Sequence, residues 1–301
     1  MILVAGLSPA WQQIMEFDHL SVGEVNRARH VTWCASGKVL NVGIALQNLT
    51  SSEPPESKHR PYVLSAVGGW SGSAIRDDMI QQGVTSEWLA LDTPTRVCTT
   101  VLNRSSSQTT ELVENAGEIP TEISVSFQQR VRELAPESRV AVLTGSLPAQ
   151  VPSSFYAEML QGLSVPTVLD FRGPELLACL PHRPTVIKPN REELAKTVGR
   201  ELSSESDVLS AMRELNEQGA EWVVVTAGPG AILVSSIDRN WRVEPPRVPD
   251  VVNPIGCGDC LAAGLALGLS REINILDALQ IGIQAAADNV RQILPARCSP
   301  A

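Results

Sequence analysis

The chain has 301 residues, 43% hydrophobic and 19% charged, with a formal net charge of −9. That is ordinary globular composition, enough for one large α/β domain or two smaller ones and for a substantial buried core. The acidic balance argues against a general nucleic-acid or membrane-surface role, so an anionic ligand would need a local cluster of positive groups.

The chain opens on ILVAGL (2–7), a short apolar run with no basic flank. It predicts a strand and neither a secretory signal nor a membrane span. Residues 12–34 alternate apolar and polar, the period of an antiparallel ribbon with one wet face. VLNVGIALQNL follows with helical spacing, then the polar, proline-rich TSSEPPESKHRP (50–61), a solvated loop. After the strand YVLSAV (62–67), residues 96–114 alternate again. The two ribbons together predict a small sheet outside the main body, a lid formed by about 12–34 and 96–114. From there strands and helices take turns: SFQQRVREL, VAVLTG (140–145), SFYAEMLQGL, PTVLD (166–170), TVIKP (185–189), DVLSAMRELNEQG and WVVVTA (222–227). Such alternation implies βαβ units and a mostly parallel sheet with helices on its faces, and nearly all-apolar strands suit burial on both sides. Six scattered cysteines do not make a disulfide scaffold in a chain this long and predict a reduced, cytoplasmic setting.

NPIGCGDCLAAG (253–264) admits three interpretations. As a turn into a buried helix, its first N–H groups lack partners and attract an anion, with Asp259 beside them or merely capping the helix. Cys257 and Cys260 form a CxxC at a helix start, where a thiol pKa is lowered, so a redox pair is the second. A metal site would want a second ligand pair, and none has suitable spacing. The third is phosphoryl transfer.

For the third, the chain resembles the ribokinase-like (PfkB) carbohydrate kinases, in their 1-phosphofructokinase and tagatose-6-phosphate kinase branch. LSPA (7–10), GEVNR (23–27), SGKVLNV (36–42), GSLPAQVP (145–152), IKPNREEL (187–194), AGPG (227–230) and VVNPIGCGDCLAAG (251–264) carry it, in the family's order and almost end to end. No Walker-type GxxxxGK[ST] is present. The resemblance implies a single ribokinase-like domain over 1–301, a three-layer α/β/α sandwich with a small β-sheet lid. It implies an ATP-dependent, Mg²⁺-assisted kinase of a sugar phosphate, with no nucleic-acid or membrane partner and a homodimer formed through the lid. Asp259 matches the family's catalytic base, and the N–H groups of Gly256, Cys257 and Gly258 would hold the transferring phosphoryl group. Lys188 would reach the ATP phosphates. Asn190 and Glu193 fit an N-x-x-E pattern that supports Mg²⁺ through water, although the same pair could simply form a capping box. Thr226, Gly228, Gly230 and Asn289 would line the nucleotide site. Gly37, Lys38, Asn41, Arg27, Arg96 and Ser146 would bind the acceptor, with Lys38 and the two arginines on its phosphate. Only four of the chain's basic residues are lysines, and two of them, Lys38 and Lys188, fall in these motifs, where an ammonium is not interchangeable with a guanidinium.

Three departures concern the acceptor side. Gln12 stands where the family has a sugar-binding aspartate, and Ser36 and Val39 replace glycines of GGKGxN, narrowing backbone freedom. Rival expectations follow: a kinase of an unphosphorylated sugar or nucleoside, or a degenerate nucleotide- or sugar-phosphate-binding regulator.

Overall fold

The computed structural model describes residues 1–301. The chain begins with β1 (Ile2–Ala5), β2 (Ala10–Phe17), β3 (His30–Ser36), α1 (Lys38–Leu49), β4 (Pro61–Gly68), α2 (Gly69–Gln81), β5 (Thr85–Leu91), β6 (Val97–Asn103) and β7 (Gln108–Val113). The middle supplies α3 (Thr121–Leu134), β8 (Val140–Thr144), α4 (Phe155–Leu160), β9 (Thr167–Asp170), α5 (Pro174–Cys179), β10 (Val186–Ile187) and α6 (Arg191–Val198). Last come α7 (Glu205–Glu217), β11 (Trp222–Val225), β12 (Ile232–Ser235), β13 (Asn240–Val243), α8 (Cys257–Ser270) and α9 (Ile275–Asn289).

Nine strands form the main sheet in the order β13-β12-β11-β10-β9-β8-β1-β4-β5. From β11 to β5 every pair is parallel; the β11–β12 and β12–β13 pairs at one edge are antiparallel, so β12 alone runs against the rest. The period-two alternation of a strand explains the layering. Ile2 and Val4 of β1 join an apolar cluster with α1, α8 and α9, while Leu3 and Ala5 join a second cluster with α3 to α7. Each central strand therefore feeds both faces, which is the expected α/β/α sandwich. On one face α8 and α9 meet at Gly264 and Gly282, where a Cβ added to Gly264 would lie 2.2 Å from the Gly282 Cα. Only glycine permits that approach.

A separate four-stranded sheet has the order β3-β2-β6-β7. Its outer pairs are antiparallel, but the central pair β2–β6 is parallel, so the ribbons are joined side by side rather than end to end. Residues 18–29 between β2 and β3 are turns and irregular chain. Gln12, Ile14 and Glu16 face inward and are buried, whereas the row Trp33, Gln13, Thr99, Leu112 lies on the opposite face. Trp11 and Trp33 stack there with ring centroids 6.1 Å apart.

Sequence periodicity did not disclose α2, β5 or the β12–β13 hairpin. No strand leads into the NPIGCGD turn, since residues 244–256 are irregular. Side-chain bonds hold that segment instead: the Asn253 side chain is buried, accepts from the Ile255 N–H and donates to the Ile293 carbonyl.

Candidate active site

Gly256 ends this irregular segment at φ +87°, and a Cβ there would come within 2.9 Å of the Ala296 nitrogen. Glycine is thus required both by conformation and by the C-terminal tail packed behind the turn. Helix α8 starts at the next residue. The Cys257 N–H, expected among the phosphoryl-holding donors, is already bonded to the Pro254 carbonyl at 3.3 Å, whereas no backbone carbonyl accepts from the Gly258 or Asp259 N–H, and no side chain caps the helix. These two donors and the positive end of the helix dipole lie in the same turn as Asp259. Asp259 is not a cap: its Oδ2 accepts from Asn41 Nδ2 at 2.7 Å, and its carboxyl is buried. Burial, followed by the charge of Asp170, pushes its pKa up to about 6, against the pull of Lys38, the Asn41 hydrogen bond and Lys188.

Asn41 and Lys38 come from the first turns of α1, whose entry is set by Gly37 at φ +91°. A Cβ on Gly37 would strike the Ser8 carbonyl oxygen at 2.8 Å. The two glycine replacements around it are accommodated. Ser36 is the extended last residue of β3, and its hydroxyl donates to Asn41 Oδ1. Val39 is fully buried against Gly6, where a Cβ would sit 3.2 Å from the Val39 Cβ. A cation at a helix start opposes the dipole, and Lys38 has an offset: its Nζ lies 2.9 Å from Asp170 Oδ1 and 3.1 Å from Glu193 Oε1. Burial lowers the Lys38 pKa, but Asp170, Glu193 and Asp259 outweigh it, so the net shift is upward.

Lys188 leaves the end of β10 and is buried. Its Nζ is 3.2 Å from Asp170 Oδ2 and 3.6 Å from where a Gly258 Cβ would be, over the α8 turn. Asn190 caps α6: its side chain accepts from the Glu193 N–H, and Glu193 Oε2 accepts from the Asn190 N–H. The capping box is therefore real, and Glu193 still spends its other oxygen on Lys38. Thr226 bridges to Asn190 at the end of β11, which brings the turn holding Gly228 (φ +58°) and Gly230 to the same edge of the sheet.

Asp259, Lys188, Lys38, Asn41, Asn190, Glu193 and the glycines of the turn thus converge at the carboxyl edge of the strands, where open α/β sheets bind ligands. Other expected residues are placed differently. Asn289 is fully buried and faces the turn rather than the cleft: Nδ2 donates to the Ile255 carbonyl and Cys257 Sγ, and Oδ1 accepts from the Arg297 N–H. It pins the turn to the tail, a task its place in an apolar helix did not disclose. The Arg96 guanidinium donates to the carbonyls of Ser8, Pro9 and Glu114, bracing the small sheet. Arg27 is exposed on the β2–β3 loop, and Ser146 is exposed just past β8. Gln12 is buried on the inner face of the small sheet, donating to Thr100 Oγ1 at 2.7 Å; Thr100 in turn donates to Glu111.

Sequence reasoning missed Asp170, the carboxylate between the two lysines. The signal was present, since a lone charge ends the otherwise apolar strand PTVLD at the ligand-binding edge. As for the redox interpretation, all six thiols are free. Burial pushes the Cys257 thiol up, and the Cys298 contact with burial pushes Cys260 well above the usual range, the reverse of a reactive pair. No group of three or more His, Cys, Asp and Glu side chains is arranged as a metal cage, and no helix is long and apolar enough to cross a membrane.

A model of the pfkB family of carbohydrate kinases matches residues 8–301. Among solved structures, Escherichia coli phosphofructokinase-2 in complex with substrates and products is similar with a TM-score of 0.88 at 22% identity, over 99% of this chain and 95% of that one. A Thermotoga maritima structure described as "Possible 1-phosphofructokinase" gives 0.86 at 19% identity, over 98% and 93%. Thermotoga maritima ribokinase gives 0.74 at 16%, over 98% and 94%. At such identities the structural likeness speaks for the ribokinase-like fold.

Proposed function

Because this chain belongs to the pfkB family of carbohydrate kinases, we propose that it transfers the γ-phosphoryl group of ATP to a hydroxyl of a sugar phosphate, a ketohexose phosphate of the fructose 1-phosphate or tagatose 6-phosphate class. The observation that carries this is Asp259: a buried carboxylate, raised to about 6, in the open N–H turn of a helix start and within the field of Lys38 and Lys188, which Asp170 holds. At neutral pH it is mostly ionised yet basic enough to take the acceptor hydroxyl's proton as that oxygen attacks. The Gly258 and Asp259 N–H groups receive the charge on the phosphoryl oxygens, and Lys188 supports it. Gly228, Gly230 and Thr226 line the nucleotide. Asn41, Gln12 and Ser146 contact the sugar, and Arg27 and Lys38 its phosphate.

Hard oxygen donors fit Mg²⁺. Asp170 Oδ2 is buried and, although ion-paired with Lys188 Nζ at 3.2 Å, makes no well-formed hydrogen bond, and Glu193 stands nearby through Lys38. Glu193 and Asn190 would hold the ion through water, and bound Mg²⁺ would neutralise phosphate charge. The exposed apolar residues Trp33 and Leu112 on the outer face of the small sheet support a homodimer through that lid. The free cysteines suit a cytoplasmic setting.

One observation favours a second reading, an unphosphorylated acceptor. Lys38 is engaged by two carboxylates and Arg96 by three carbonyls, which leaves Arg27 as the uncommitted cation of the clamp. The deciding experiment is ADP release with MgATP across fructose 1-phosphate, tagatose 6-phosphate, fructose 6-phosphate, free hexoses, ribose and nucleosides, with Asp259→Asn as control. Turnover with a sugar phosphate that collapses in the variant supports the first reading. Turnover only with unphosphorylated acceptors selects the second, and nucleotide binding without turnover points to a binding protein.

A further inference from the structure

Five charged groups from five elements gather at the carboxyl edge of the main sheet: Lys38 of α1, Asp170 at the end of β9, Lys188 past β10, Glu193 of α6 and Asp259 of α8. Only Asp170 touches both lysines, one on each oxygen, Lys38 at 2.9 Å and Lys188 at 3.2 Å. Its side chain is 1% exposed and that of Lys188 4%. Its backbone is fixed as well, since the Asp170 carbonyl accepts from the Gly145 N–H and the Thr144 hydroxyl. Burial pushes its carboxyl up, yet Lys188 and Lys38 hold it below the usual carboxylate value. It is therefore a rigid anion at neutral pH.

We infer that Asp170 is a positioning residue for phosphoryl transfer: gripping Lys188 and Lys38 on its two oxygens, it holds both ammonium groups beside Asp259 before either substrate arrives. A free lysine side chain carries large rotamer entropy, and catalysis by fixed charges requires that its ordering be complete before reaction. The inference rests on the kinase reading for the roles of Lys188 and Asp259, but the anchoring itself stands on the contacts alone. The grip also neutralises charge. Removing it would free the lysines to attract ATP while leaving them poorly aimed, so affinity and turnover should move in different directions.

Two measurements test it. The chain has only four lysines, so lysine-selective ¹⁵N labelling reports each ε-ammonium by NMR without any turnover. In the wild type, Lys38 and Lys188 should give signals slowed in exchange with water; in Asp170→Asn both should broaden or vanish while those of Lys58 and Lys196 persist. Unchanged Lys38 and Lys188 signals would overturn the anchor. In steady state, Asp170→Asn should lose at least about 30-fold in kcat with no rise in KM for MgATP. A kcat within twofold of wild type would overturn the inference, as would a loss matched by a rising KM and a falling Tm. The buried Lys188 and the part-buried Lys38 left facing a neutral amide could prevent folding, so the charge-balanced Asp170→Asn/Lys38→Met protein is compared with Lys38→Met. The double variant should be at least about tenfold slower; equality would remove Asp170 from any action through Lys188. Failure of the kinase reading has a separate signature, an Asp259→Asn protein as active as wild type.

Discussion

Replacing Asn41 by Leu removes the 2.7 Å hydrogen bond to Asp259 Oδ2 at nearly constant volume. That bond favours the ionised carboxylate, whose pKa burial and Asp170 have already raised to about 6. A hydrogen bond to a charged group contributes about 1.5–3 kcal/mol, and one pKa unit corresponds to about 1.4 kcal/mol, so its loss should raise Asp259 by roughly one to two units, to about 7–8. The ionised fraction at pH 7 then drops from about nine-tenths to between a half and a tenth, a roughly two- to tenfold loss of rate from titration alone. The assay is kcat against pH from 5 to 9.5 at saturating substrates. The acid limb should move from about 6 to about 7–8, with much of the loss recovered at pH 9. Asn41 is also expected to touch the sugar, which would depress the whole profile without moving its limb. A limb that stays near 6 would refute the argument that Asp259 is the titrating base held by Asn41.

Asp259→Asn should abolish turnover yet stabilise the fold. The folded pKa lies above the unfolded value, so the native state binds the proton more tightly, and stability is lost as pH rises from about 4 to about 6 and stays lost above that. The substitution should restore up to about 3 kcal/mol at pH 8 and nothing near pH 3, read from urea unfolding at the two pH values. Gly264→Ala should cost about 2–3 kcal/mol or more in the same assay, because its methyl would meet Gly282 backbone. Gln12→Asp should change the ranking of acceptors by kcat/KM while leaving KM for MgATP within about twofold, since the residue faces the small sheet and not the lysine cluster. Arg27→Ala should raise the acceptor KM about tenfold or more if the acceptor carries a phosphate and leave it unchanged if it does not.

Much of the candidate site's geometry was legible in one dimension because it is local. Gly256, Cys257, Gly258 and Asp259 lie in one turn, and a helix start presents unpaired N–H groups wherever it occurs. The Asn190–Glu193 pair is likewise a spacing of three on one helix, and its capping box forms as that spacing requires. Elements with strong periodicity, such as α1, α7 and the buried strands, fall where the pattern places them to within a few residues. Where periodicity is weak, in α2 or the β12–β13 hairpin, it was silent.

What the chain could not disclose alone is which distant groups neutralise one another. The family resemblance implied that Lys38 lies near an acceptor phosphate, but the fold sets its ammonium between Asp170 and Glu193, 132 and 155 residues away. Asn289 carries the right chemistry for a ligand, yet the C-terminal tail returns across the turn and consumes its amide. Local sequence dictates helix starts, strand ends and glycine turns, since backbone sterics and hydrogen bonds act within a few residues. The pairing of buried charges depends on which strand ends share an edge, and only the folded sheet order brings β9, β10, α1 and α8 together there.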